Sequence, residues 1–256
     1  VSKGVLGIGC SFTWGESLYY YSDLKNLPIT EYHSFDESEV NKSMRAYKDK
    51  NRFIRKVADY YDTWDMVLSV NGGTNDSSFI YNVWSSFVNK DIYLDDFRLI
   101  VWQITSWDRS ISRYIPIYDY DADILGKNSK NVDVQKYYKW RNELETNEVK
   151  SQLTFIDKMC NDFEKNGIKV LTIVWPENFY NQDLYVEKFK QRHVPIYYNN
   201  QIHNSFDKLL HNDSLTVSGD FKDKGIHKND IHLNLKGQDV LFNSIIKKLK
   251  NDNFTI

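Results

Sequence analysis

Cysteine is scarce in this chain of 256 residues. The two present, Cys10 and Cys160, are too few for a disulfide framework. Cys10 falls at a predicted strand end and Cys160 within a predicted helix, so both are expected as thiols. An excess of charge is also missing: 33 Lys+Arg stand against 35 Asp+Glu, a formal net charge of −2. That balance removes the electrostatic case for a nucleic-acid or anionic-membrane partner. No apolar run approaches the ~20 residues of a membrane helix, and the N-terminus passes straight into a strand without a secretory pattern. The expected location is therefore cytoplasmic or virion-associated. Internal repeats, linkers and low-complexity tracts are absent too, and 256 residues read as a single domain spanning 1–256.

What is present is enough apolar residue for a core, 41% of the chain, and an aromatic content of 15%. The aromatics cluster at Tyr19-Tyr20-Tyr21, between Tyr114 and Tyr120, and at Tyr137-Tyr138-Lys139-Trp140. Such rings can stack on sugars or pack an interface, although an AT-biased genome enriches the same residues. Four apolar segments read as strands: Gly4–Ile8, Met66–Val70, Leu99–Ile104 and Ile168–Pro176. Between them lie helical patterns at Asn51–Tyr61, from Phe79, at Val149–Asn166 with Gly167 as its C-cap, at Leu184–Arg192, at Gln201–His211 and at Leu235–Lys250. Val194–Tyr197 is a short strand candidate. Residues 22 to 48 read as loop and short helix, with a surface histidine at His33. Residues 110 to 148 read as a polar insertion with one helix near 134 to 146. Strands alternating with helices predict an α/β fold around a central parallel sheet.

Chemistry concentrates at three loops. Gly9-Cys10-Ser11-Phe12-Thr13-Trp14-Gly15 follows the first strand, where α/β folds place ligands. Ser11 there either caps a helix or faces a site, and side chains alternate along a strand, so only one of Cys10 and Ser11 can face it. Asn71-Gly72-Gly73-Thr74-Asn75-Asp76 follows the second strand and opens a helix; its amides form a nest suited to an oxyanion, or its polar side chains cap the helix. The third loop, Gly225 to Gln238, sets Asp230 two residues before His232 and leads into the last helix.

Together, a GxSxT-like block around Ser11, glycines after the second strand and an Asp-x-His-x-Asn-x-x-Gly block from Asp230 to Gly237 resemble the SGNH/GDSL hydrolase family. The resemblance implies a flavodoxin-like three-layer α/β/α sandwich and an esterase that often removes acetyl groups from sugars. It implies Ser11 as nucleophile, His232 as general base and Asp230 as the residue orienting it. It further implies an oxyanion hole from the amides of Ser11 and of Gly72 or Gly73, with Asn75. The chemistry agrees: a serine hydroxyl needs an imidazole to accept its proton, and the imidazole needs a carboxylate to fix its tautomer. Trp14 and Arg109 are the substrate-binding candidates, Arg109 either holding a substrate carboxylate or pairing with Asp108.

Three departures from the family pattern stand out. The family spacing is Asp-x-x-His, but Asn229 occupies the third position before His232, so Asp230 gives a shorter Asp-x-His. Gly225-Ile226-His227 imitates another family signature with Lys224 in place of its aspartate; His232 is preferred because Asn234 and Gly237 follow it in register. The family asparagine after the third strand has no counterpart near Thr105 and Ser106, which leaves Asn75, or Thr105 or Ser106 in its place. Two other readings remain at this point. One is an inactive module of this fold that binds glycans or builds a larger assembly such as a viral particle. The other treats His227, Asp230 and His232 as zinc ligands, against the preferred expectation of no metal and no cofactor. The preferred substrate is a small-molecule or glycan ester.

Overall fold

A computed structural model describes residues 2–15, 17–22, 42–69, 77–105, 132–175, 180–221 and 231–255. Four parallel strands form its main sheet: β1 (Gly4–Gly9), β2 (Asp65–Ser69), β3 (Phe97–Ile104) and β4 (Lys169–Val174), in the order β2-β1-β3-β4. Composition explains the order. All six residues of β1 are buried, as are all of β3 except Arg98, and such two-sided apolar strands belong inside a parallel sheet. At the edge, β2 carries Asp65, whose carboxylate accepts hydrogen bonds from Arg52 and Arg55.

Side-chain alternation sorts the strand residues onto two faces. Leu6, Ile8, Ile100, Trp102, Ile104, Val170 and Val174 pack on one side, against Val83 of α4 (Ser77–Val88), the stripe of α5 (Val132–Lys165) and Tyr185 and Phe189 of α6 (Asp183–Phe189). Val5, Leu99, Val101, Leu171 and Ile173 pack on the other. There they meet Phe53, Ile54 and Val57 of α3 (Phe53–Tyr60) and Leu241, Ile245 and Leu249 of the final helix (Leu235–Asn251). Helices therefore cover both faces of the sheet. A short helix, α1 (Ser11–Trp14), follows β1, and α2 (Lys42–Asn51) precedes α3. Among the described residues, no helix is long and apolar enough to cross a membrane.

The strand positions agree with expectation, with β2 and β3 starting one and two residues earlier than their apolar runs. Two elements differ more. The two helices expected near 134 to 146 and from Val149 are one, so the part of the expected insertion from Val132 on belongs to a helix of 34 residues, roughly 50 Å at the α-helical rise. No glycine or proline interrupts that span, so nothing in it stops the helix short of Gly167, whose φ of 75° ends it. Its buried stripe of Val149, Leu153, Ile156, Cys160 and Phe163 recurs at helical spacing.

The helix expected at Gln201–His211 is instead a strand, β6 (Gln201–His203), paired antiparallel with β5 (Ile196–Tyr198). Asn199 and Asn200, with φ of 49° and 60°, make the two-residue turn between them. Positive φ at both central positions is the hairpin geometry that matches strand twist, and asparagine tolerates it. Helical structure resumes only as short turns, α7 (Asp207–Leu210) and α8 (Val217–Asp220), and the final helix is accordingly α9. The candidate strand Val194–Tyr197 overlaps β5 at Ile196 and Tyr197, and an isolated bridge joins His193 to β4 at Thr172.

Candidate functional site

In the order β2-β1-β3-β4 the chain reverses direction of progress between β1 and β3. Open α/β sheets take ligands outside the carboxyl ends of two such strands, and Ser11, the first residue of α1, follows the carboxyl end of β1. Cys10 and Ser11 divide as alternation requires. The Cys10 thiol is fully buried and accepts a hydrogen bond from Gln103 Nε2 at 3.1 Å. The Ser11 hydroxyl turns the other way, to His232.

Ser11 Oγ and His232 Nε2 are 2.8 Å apart, bringing together residues separated by 221 positions. Within that distance a hydroxyl donates to the ring nitrogen when the imidazole carries its proton on Nδ1. Ser11 is 4% exposed and His232 half-buried. Phe12 supports the ring, its centroid 4.9 Å from that of His232. Phe12 in turn meets Trp175 and Phe206 edge-on at 5.0 and 5.4 Å. An apolar wall of this kind lowers the local dielectric around the hydroxyl and the imidazole.

The His232 backbone is fastened as firmly as its ring is aimed. Its carbonyl accepts from Val217 N at 2.8 Å, and Asn234 N donates to Leu215 O at 2.9 Å, a two-residue antiparallel bridge centred on Thr216 and Leu233. Asn234, 2% exposed, caps α9 by accepting from Gly237 N at 2.9 Å. Its amide group donates to Ser214 O, Thr216 O and Asp220 Oδ2 at 3.1, 3.3 and 3.0 Å. Asp220 also accepts from the Tyr21 hydroxyl, tying the segment after α1 to the histidine loop. A Cβ on Gly237 would stand 2.6 Å from Leu215 O, so only glycine permits this close approach. Gln238 Oε1 completes the anchorage by accepting from Phe53 N at 3.0 Å, at the start of α3. The Asn, Gly and Gln that follow His232 are therefore the scaffold of its loop.

Among the expected site residues, Ser11 and His232 are brought together. Asp230, Gly72, Gly73, Asn75 and Arg109, and the side chain of Trp14, lie outside the described residues, as do His33, Lys224, His227, Asn229, Asp108 and Ser106. Thr105, at the end of β3, is buried. Among the described residues, no group of three or more His, Cys, Asp or Glu is placed to hold a metal ion. The zinc alternative rests on His227 and Asp230, outside that part.

No family model, curated protein or solved structure matches the chain. What the site can do is thus read from its own chemistry. A buried hydroxyl paired to an imidazole at a sheet switch point can be deprotonated as it attacks an electrophilic carbon.

Gln103, Asp220 and the Phe12–Trp175–Phe206 wall were not legible as site residues. Gln103 alone left a signal, as the single polar residue in an otherwise apolar run, Leu99 to Ile104. A buried amide needs partners, and its partners prove to be the neighbours of Ser11.

Proposed function

We propose that this chain is a serine hydrolase of the SGNH type that cleaves carboxylic esters, with O-acetylated carbohydrate as its substrate class. One observation carries the reading: the 2.8 Å contact between Ser11 Oγ and His232 Nε2, beyond the tip of β1. The strand order β2-β1-β3-β4 supports it, since it is the beginning of the flavodoxin-like order, with helices on both faces. In this reading Ser11 Oγ adds to the ester carbonyl while His232 Nε2 takes its proton. Asp230 accepts from Nδ1–H of the same ring and stabilises the imidazolium. The Ser11 amide and a donor from Gly72, Gly73 or Asn75 hold the oxyanion, where one donor is worth about 3 kcal/mol. His232 then protonates the leaving alcohol as the tetrahedral species collapses to an acyl-Ser11. Water deprotonated by His232 releases the acid and restores the hydroxyl.

The aromatic residues motivate the sugar, with Trp14 as a stacking surface and Arg109 as a second substrate contact. The test is release of p-nitrophenol from p-nitrophenyl acetate by the wild-type chain and by Ser11→Ala. The expected loss in the variant is at least about 10³-fold in kcat. A wild-type rate no higher than the variant's overturns the proposal for simple acetyl esters. Binding on a glycan array without turnover would then favour a non-catalytic module.

A further inference from the structure

Ser11 sits on a helix too short to hold itself. α1 is one turn of four residues, and its N-cap, Cys10, makes no side-chain capping bond. An isolated turn fixes several dihedrals for a single hydrogen bond and is unstable alone. Something outside the turn must therefore hold the direction of the Ser11 hydroxyl.

Gln103 is placed to do this. It lies near the C-terminal end of β3, one residue beyond the Ile8–Trp102 register pair, beside Gly9 and fully buried. Its amide nitrogen donates to Cys10 Sγ at 3.1 Å, and its amide oxygen accepts from the Thr13 hydroxyl. The two partners flank Ser11 in sequence, so both ends of the serine turn are tied to one side chain of the neighbouring strand. Gly9 leaves the room this needs. A Cβ there would lie 2.2 Å from Thr13 Oγ1 and 2.8 Å from Gln103 Cβ, a clash no rotamer of both could relieve. On the opposite side the turn is met by His232, through the Ser11 hydroxyl and the Phe12 ring. The turn is gripped between β3 and the histidine loop.

We propose that Gln103, through Thr13 and Cys10, is a positioning residue that aims the Ser11 hydroxyl at His232; its catalytic consequence rests on the hydrolase reading above. A buried amide in an apolar strand costs free energy unless its polar atoms are satisfied. Thr13 and Cys10 satisfy it while transmitting the rigidity of the sheet to Ser11. Without the tie the turn is free to rotate, and a displacement of about 1 Å at a reacting atom costs about 10²-fold in rate.

The decisive variant is Thr13→Val/Gln103→Leu, which removes both partners of the buried hydrogen bond and substitutes apolar groups of similar shape, a change close to neutral in stability. On p-nitrophenyl acetate its kcat is expected to fall about 10- to 100-fold with KM within about 2-fold. Its unfolding midpoint is expected to stay near wild type. Ser244→Ala, which deletes a buried hydroxyl bonded to Tyr197 N and Val240 O away from the site, should lower the midpoint and leave kcat unchanged. A second readout needs no turnover. The His232 imidazole NMR signals, assigned by His232→Gln, should shift in the double variant as they shift in Ser11→Ala, because both lose the aligned hydroxyl. Wild-type kcat in the folded double variant, or His232 signals that match wild type, overturns the proposal. If the wild-type chain itself hydrolyses no ester, the hydrolase reading falls, and the NMR comparison alone decides the positioning. If the double variant does not fold, Thr13→Val alone is scored by the same two readouts.

Discussion

Lowering the pH from 7 to 5 is expected to cost the fold about 2 kcal/mol through one side chain, His193. This histidine follows Arg192 and bridges β4 at Thr172, with 6% of its surface exposed. Its Nδ1 is 2.9 Å from the Tyr185 hydroxyl, itself 2.9 Å from Thr172 Oγ1. The Tyr180 ring lies against it with centroids 4.8 Å apart. Nε2 is buried and has no hydrogen-bond partner among the described residues. Burial first, and the positive charge of Lys248 second, push the imidazole down to about 4 from its ordinary 6.5. Tyr185 cannot offset this as a phenolate, because burial pushes its hydroxyl well above the usual range.

The sign follows from the direction of that shift. As pH falls, the unfolded chain binds a proton near 6.5 while the folded chain resists until about 4. The stability is therefore fully present above 6.5, declines between the two values and is gone below 4. The total is about 3 kcal/mol, of which about 2 is spent by pH 5. Urea unfolding of wild type and His193→Gln at both pH values measures it. Glutamine can still bond Tyr185 but does not titrate, so its loss between pH 7 and 5 should be smaller than wild type's by about 2 kcal/mol. Other titrating groups cancel in the comparison. Equal losses in the two proteins would refute the assignment.

Two further substitutions probe the elements that carry the site. Asn234→Ala removes the cap of α9 and the side-chain amide's bonds to Ser214 O, Thr216 O and Asp220 Oδ2; a loss of about 2–3 kcal/mol is expected in urea unfolding, and the hydrolase proposal adds a fall in kcat on p-nitrophenyl acetate because the His232 loop loosens. Asn200→Val places a β-branched residue at a φ of 60° in the hairpin turn, and should cost about 1–2 kcal/mol while leaving kcat unchanged.

The parts of the fold that were legible are those decided locally. β1 and β3 are apolar on both faces, the pattern of strands in a parallel sheet covered on both sides. Gly167 ends α5 where a left-handed residue is needed, as its place after the apolar stripe predicts. What was not legible depends on long-range or conformational information. The Asn199-Asn200 turn lacks the glycine that marks most such hairpins, and the residues after it carry apolar spacing compatible with a helix. A helix near 134 to 146 was legible, but its continuity with the helix from Val149 was not, because the polar residues between them read as a break until the absence of glycine and proline from the whole span is weighed. At the site, Ser11 and His232 were legible from their loops, whereas Gln103 and Asp220 reach their partners across 93 and 14 residues. No short-range pattern encodes such a pairing.

The most direct test of the proposal that Ser11 is an activated nucleophile is its reaction with a fluorophosphonate ester at neutral pH. In the proposed reaction the serine oxygen forms a bond to phosphorus, fluoride leaves, and the hydroxyl proton passes to His232. Intact-mass and peptide mass spectrometry should find one adduct, on the peptide containing Ser11. It should be absent in Ser11→Ala and formed at least about 10²-fold more slowly in His232→Gln. A wild-type chain that takes up no label, or one labelled as fast after His232→Gln, would contradict the claim that this imidazole activates this hydroxyl.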